Sequence, residues 1–303
     1  MPITIGTGRG LRPTPRIPMT ARITPFLLGT LLVLVLGGCA AGGDVSRPIP
    51  TATVAAPSAA HRAVIVLPGR GDDLDSLQRR NLAAVIQRHW PEADVILTGL
   101  TMPFYKEGRA TTRLHDEVVA PMRERGYREI WLLGISLGGM GAILYEHEHP
   151  GETDGILLLS PYLGEAALQD EIRNAGGLAK WKPGPHQALG PDTFQRELWR
   201  TLKSWQDHAV RAQAIWLSYG TEEPFRTPIG LMAPALPADH VLALPGRHDW
   251  DLWLRAAGTL LDRAAGARVD AARGAREPSR TFAPLNSSVE PSTDATNGSG
   301  TRR

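Results

Sequence analysis

Cysteine is nearly absent from this 303-residue chain, which carries only Cys39. A single thiol excludes an internal disulfide framework and any metal site built from several thiolates. An excess of one charge is missing too. The 33 Lys and Arg against 31 Asp and Glu leave a formal net charge of +2, so nothing electrostatic points to nucleic acid or to a strongly acidic partner. A membrane-spanning helix needs roughly 20 apolar residues, and the apolar run Phe26 to Leu36 falls well short of that. No internal repeat is visible. The rest of the composition, 42% hydrophobic and 21% charged, is that of a globular protein with room for one large domain or two small ones.

The front of the chain has a processing signal. Met19-Thr20-Ala21-Arg22 gives a positive start, Phe26 to Leu36 an apolar centre, and Leu36-Gly37-Gly38-Cys39 a small-residue end. Together these read as a secretory signal over residues 1–39. Initiation at Met19 would give that signal a more usual length. Leu-Gly-Gly-Cys resembles the lipobox of bacterial lipoproteins. The resemblance implies cleavage before Cys39 and acylation of that cysteine as a membrane anchor, and Ala40 favours the outer membrane. Residues 40–60, mainly Gly, Pro, Ala, Ser and Thr, are expected to form a flexible tether, with folding to begin near His61. Residues 266–303 are expected to be disordered.

Between these ends the sequence alternates. Apolar runs at Ala63–Leu67, Val95–Leu97, Ile130–Leu133, Ile156–Leu159, Ile215–Leu217 and Val241–Leu244 read as strands. They are almost continuous, as strands covered on both faces should be. Helical patterns occupy Asp75–Trp90, Thr112–Arg125, Leu137–His149 and Asp249–Leu261. Such alternation predicts an α/β domain over 61–265, with a doubly wound, mostly parallel sheet of about six strands. Within a longer insertion, 161–212, Phe194, Leu198, Leu202 and Trp205 share one helical face with Trp199 nearby. That face reads as a core-covering helix, with a substrate-binding cap as the alternative.

The chemistry centres on Gly134-Ile135-Ser136-Leu137-Gly138-Gly139. Here a serine stands between a predicted strand and a predicted helix, where a sharp turn would expose its hydroxyl and where side chains in place of the glycines would clash. Gly141 and Ala142 are expected to let the helix approach the sheet. The N–H of Leu137, at the start of that helix, can face a developing oxyanion. A serine nucleophile needs a base, and the base needs an orienting acid.

Gly-Ile-Ser-Leu-Gly-Gly, Gly220-Thr221-Glu222-Glu223-Pro224 and Gly246-Arg247-His248-Asp249-Trp250 together resemble the α/β-hydrolase superfamily, and within it the small carboxylesterases. The resemblance covers about Arg62 to Leu261. It implies an α/β-hydrolase fold lacking the first two strands, with Ser136 as nucleophile and His248 as base. It makes Glu223 the orienting acid, with Glu222 as the alternative, because Glu stands where the family commonly has Asp. It also gives the oxyanion a second donor, the Arg70 N–H in the Leu67-Pro68-Gly69-Arg70-Gly71 loop, where Pro68 replaces a common His. The Arg70 side chain is expected to be exposed, and Asp73 or Asp75 to cap the next helix.

His240 precedes the last predicted strand and so belongs to the opposite end of the sheet. His147 and His149 are expected in solvent. The Met102-Pro103-Phe104-Tyr105 segment reads either as an acyl-pocket wall or as a surface turn. The expected activity is hydrolysis of a small-molecule carboxylic ester through an acyl-enzyme, with no metal and no organic cofactor. Acyl transfer by the same residues and a non-catalytic surface binder remain open alternatives.

Overall fold

The computed structural model describes residues 42–274, with side chains to Arg268. The signal segment, Cys39 and residues 275–303 lie outside the described residues. Seven strands form one sheet: β1 (Thr51–Val54), β2 (Arg62–Leu67), β3 (Ala93–Thr98), β4 (Glu129–Ile135), β5 (Gly155–Leu159), β6 (Ile215–Gly220) and β7 (Val241–Leu244). Their spatial order is β1-β3-β2-β4-β5-β6-β7. Every pair is parallel except β1 with β3.

Alternation along each strand builds two cores. Ile65, Leu132, Ile156 and Leu217 face one side, and Val64, Leu133, Leu157 and Trp216 face the other. Because both faces are dry, the strands show the continuous apolar runs read from the sequence. The first face is covered by α3 (Met102–Lys106), α4 (Ala110–Leu114), α5 (Ala120–Glu124), α6 (Leu137–Glu148) and α8 (Phe194–Asp207). The second is covered by α1 (Leu74–Arg79), α2 (Leu82–His89) and the last helix, α11 (Trp250–Gly274). The remaining helices are α7 (Ala166–Asn174), α9 (Ala209–Ala212) and α10 (Arg226–Met232).

Four expectations are corrected. The segment read as a tether is packed: Ile49 is buried, its N–H donates to Glu117 Oε2 at 2.6 Å, and Thr51–Val54 adds the antiparallel edge strand β1. The sheet therefore has seven strands and the fold begins before His61. Only part of β1's surface is shielded, so it carries no apolar face for the sequence to display, and its order comes from partners elsewhere. Its ladder to β3 supplies this, and Arg113 fixes the residues just before it, donating to the Val45 carbonyl at 2.7 Å and the Arg47 carbonyl at 2.5 Å while pairing with Glu117. The expected helix 75–90 is two helices broken at Arg80–Asn81, and α4 and α5 are joined by a wider turn at His115–Val119. Finally, α11 continues through Gly274, past the expected end of order at Ala265.

The insertion carries α7, α8 and α9. Leu198, Trp199, Leu202 and Trp205 are buried in the first core, so its long helix covers the core as expected. No helix among the described residues is long and apolar enough to cross a membrane.

Because Arg113 is buried beneath the leading segment, Arg113→Met should release residues 44–54 and strand the Glu117 carboxylate. A loss of about 3 kcal/mol is expected in urea unfolding, with faster amide exchange confined first to β1.

Candidate active site

Strand order reverses between β2 and β4, since β3 lies on one side of β2 and β4 on the other. At such a reversal the loops after the two strands diverge and leave a crevice at their carboxyl ends. Ser136 follows β4 there, and the Gly69–Gly71 loop follows β2. Both line a cleft of about 520 Å³, together with His248, Phe225, Trp250 and Trp253.

The serine turn is held in a left-handed conformation, with φ +50° at Ser136, which a non-glycine residue adopts only under constraint. Main-chain bonds supply that constraint. Ser136 N–H donates to the Leu159 carbonyl at 2.9 Å, and its own carbonyl accepts from Tyr162 N–H at 2.9 Å and Gly139 N–H at 3.0 Å. Crowding explains the glycines. A Cβ on Gly134 would fall on the Gly138 carbonyl, and one on Gly138 would fall on the Leu67 carbonyl. Gly141 serves another purpose than expected: it makes room for the Tyr105 hydroxyl of α3, not for the sheet.

His248 reaches this turn from the loop after β7. Its Nε2 lies 2.9 Å from Ser136 Oγ, and its Nδ1 lies 3.1 Å from Glu223 Oε2. Of the adjacent glutamates, Glu223 is buried and faces the imidazole, whereas Glu222 is exposed. The loops after β6 and β7 are laced together by Thr221 N–H to the Leu244 carbonyl at 2.9 Å and Glu222 N–H to the Gly246 carbonyl at 3.0 Å. This lacing requires Gly220, whose Cβ would fall on the Gly246 carbonyl. Glu223 Oε1 is buried with no hydrogen-bond donor among the described residues. Among the described residues the imidazole is the one group bonded to this carboxylate, through Oε2.

Two aromatic rings clamp His248 edge-on, Phe225 at 4.8 Å and Trp253 at 5.0 Å between centroids. Trp253 is fixed in turn by Nε1–H donation to Ser160 Oγ at 3.1 Å, and Ser160 is the second non-glycine residue with positive φ, +48°. Sequence reasoning did not single out Phe225, Trp253 or Ser160. The one available signal was the placement of Phe225 and Trp253 close to Glu223 and His248.

Arg70 lies on the cleft wall with its side chain exposed. Leu137 is the first residue of α6, where N–H groups lack intrahelical acceptors. Its side chain turns away from the cleft into a second cavity of about 370 Å³, lined by Met102, Tyr105, Met140, Leu144, Tyr162 and Phe194. Met102–Lys106 is therefore a short helix that walls a cavity, not a surface turn. Burial raises the Tyr105 phenol pKa, and its hydroxyl has no hydrogen-bond partner among the described residues. Asp73 caps α1 through a reciprocal pair with Ser76.

Two other histidines depart from expectation. His147 bonds Thr201 Oγ1 through Nδ1 at 3.0 Å, and His149 stacks on His115 at 4.3 Å, so neither is simply solvated. Both imidazoles have lowered pKa values, chiefly through burial. His240 is buried against Trp216, with Nδ1 3.0 Å from the Ile215 carbonyl, and plays no part in the cleft.

No family model and no curated protein matches the chain. Among solved structures, Est1E from Butyrivibrio proteoclasticus is similar over 73% of this chain and 95% of its own, at 14% identity and a TM-score of 0.48. The Paleococcus ferrophilus monoacylglycerol lipase is similar over 72% and 100%, at 14% identity and 0.46. Mycobacterium tuberculosis MPT51 (FbpC1) is similar over 72% and 93%, at 18% identity and 0.49. These likenesses are distant, and the assignment of fold rests on the chain itself. Its strand order, and the serine turn seated between the fourth strand and the helix behind it, are those of the α/β-hydrolase fold, which this chain has.

Proposed function

We propose that the protein is a serine hydrolase of carboxylic esters. The observation that carries this reading is the continuous contact from Ser136 Oγ through His248 to Glu223, at 2.9 Å and 3.1 Å. In this reading His248 Nε2 takes the Ser136 proton as Oγ attacks the ester carbonyl. The Leu137 and Arg70 N–H groups hold the oxyanion while Glu223 holds the imidazolium. His248 then gives its proton to the departing alcohol, leaving an acyl-Ser136. A water deprotonated by the same nitrogen attacks the acyl carbon, and His248 returns the proton to Oγ as the acid leaves.

The two cavities divide the substrate. Ser136 lines the open cleft and the adjacent Leu137 lines the apolar cavity, so the acyl chain is assigned to the apolar side and the alcohol to the cleft. This favours an apolar acyl group over a charged one.

The lipid anchor at Cys39 belongs to the same proposal. Its support is the lipobox-like sequence, and the packing of the chain gives it a consequence. Val45 already packs against the first core, and the six steps from Cys39 to it span at most about 20 Å. An acylated Cys39 would hold the domain at the bilayer surface, not at the end of a long leash.

Three measurements test this. Ser136→Ala should lose the adduct with a fluorophosphonate probe and about 10⁴-fold or more in p-nitrophenyl ester hydrolysis; an undiminished adduct would sink the assignment. Glu223→Gln should cost about 10³- to 10⁴-fold in kcat, whereas Glu222→Gln should stay close to wild type. Cys39→Ser should move the protein from the membrane fraction to the soluble fraction and abolish labelling by a fatty-acid analogue.

A further inference from the structure

Away from the cleft, His147, His186 and Glu197 bring three ligand atoms within 4.8 Å of one another. His147 lies near the carboxyl end of α6, 11 residues beyond Ser136 and so about 16 Å along the helix. Glu197 is in the first turn of α8, and His186 is in the loop before it. His186 Nδ1 is 2.7 Å and His147 Nε2 is 3.6 Å from the same oxygen, Glu197 Oε2.

The hydrogen bonds fix which atoms carry lone pairs. The Thr201 hydroxyl donates its one proton to the Glu197 carbonyl at 3.1 Å. It therefore accepts from His147 Nδ1 at 3.0 Å, which makes Nδ1 the protonated nitrogen. In the neutral ring Nε2 then has a lone pair aimed at a carboxylate oxygen. Two lone pairs facing across 3.6 Å repel unless a proton or a metal cation lies between them. A ligating histidine ordinarily has its other nitrogen tied down by such a bond.

The geometry points to a binding site for a divalent cation of the zinc type, held by His147 Nε2, His186 Nδ1 and Glu197 Oε2 with the fourth position open to water. Two imidazoles, one carboxylate and one water form a common tetrahedral zinc set. Ligand atoms in that set stand about 3.3 Å apart, so modest shifts of the rings suffice. An open cavity of about 480 Å³, lined by His147, His186, Glu148 and Thr112, gives the ion a path.

Two groups oppose the ion. The His186 Nδ1 proton, which now bonds Glu197 Oε2 at 2.7 Å, must move to Nε2 for Nδ1 to become a ligand. Arg200 Nε donates to Glu197 Oε2 at 2.8 Å and must yield that oxygen, while its NH2 keeps the Pro185 carbonyl at 2.8 Å. The other Glu197 oxygen retains the Gln187 N–H at 3.1 Å. The loop holding His186 runs on into Leu189, Gly190 and Pro191, which wall the apolar cavity. Cation binding would therefore pin that wall to α6, independently of any reaction at Ser136.

The test uses the full chain without a histidine tag. Titration with Zn²⁺ against a chromophoric chelator should give one ion per chain, and Co²⁺ in its place should show the intense visible bands of a four-coordinate site. His186 is mostly exposed, so His186→Ala should fold normally yet bind at least about tenfold more weakly and lose the rise in Tm that Zn²⁺ gives the wild type. Arg200→Gln should bind more tightly, because the competing cation is gone. Absence of stoichiometric binding, or equal affinity in wild type and His186→Ala, would overturn the proposal. Labelling of Ser136 by a fluorophosphonate should be unchanged in His186→Ala, which keeps this test apart from that of the hydrolase reading.

Discussion

The imidazole of His248 bridges two groups that lie 112 and 25 residues away along the chain, and much of the architecture around the cleft serves to hold it there. A hydrogen-bonded ring can pivot out of line at little cost unless its faces and edges are confined. Phe225 and Trp253 provide that confinement. Ser160, itself in a strained conformation, anchors Trp253. On the opposite wall, Trp250 Nε1–H reaches Asp72 Oδ1 at 3.3 Å, tying the start of α11 to the loop after β2. The two loops that could drift apart are thus linked through the helix that follows the histidine.

Strain is concentrated where the chemistry is proposed. Of the described residues, only Ser136 and Ser160 take positive φ without being glycine, and both sit at the carboxyl ends of neighbouring central strands. Each such residue costs on the order of 1–3 kcal/mol, and the cost is offset by strands buried on both faces. Central strands packed on both faces are rigid enough to impose unfavourable turns on their own ends. The same sheet also buries Glu223 without a full set of donors, which a looser scaffold would relax by letting water in.

The central strands, the last helix and the serine turn were legible in the sequence because each carries its own periodic or steric signature. The leading edge strand was not. Thr51–Val54 has no apolar face, and its order derives from the ladder to β3, while Arg113 and Glu117, more than 50 residues downstream, hold Val45, Arg47 and Ile49 just before it. The break in the 75–90 segment and the wider turn at His115–Val119 were hidden for a related reason, since local periodicity is the same whether or not a helix is interrupted. His147 and His149 read as surface residues because they lie at a helix end, yet α8 folds over the first and His115 stacks on the second.

By itself the sequence determined the alternation of strand and helix, the crowded glycine-flanked serine, and the order serine, acid, histidine along the chain. The first two follow from residue types within a few positions of one another, and the third from three short motifs met in that order. Tertiary structure alone decided that Glu223 and not Glu222 turns inward, because the loop after β6 is laced to the loop after β7 and only one of two adjacent side chains can then face the ring. It also decided that residues 42–60 belong to the fold, and that His147, His186 and Glu197 share one point in space. Long-range pairings of this kind depend on which surfaces the sheet brings together, and no local pattern encodes them.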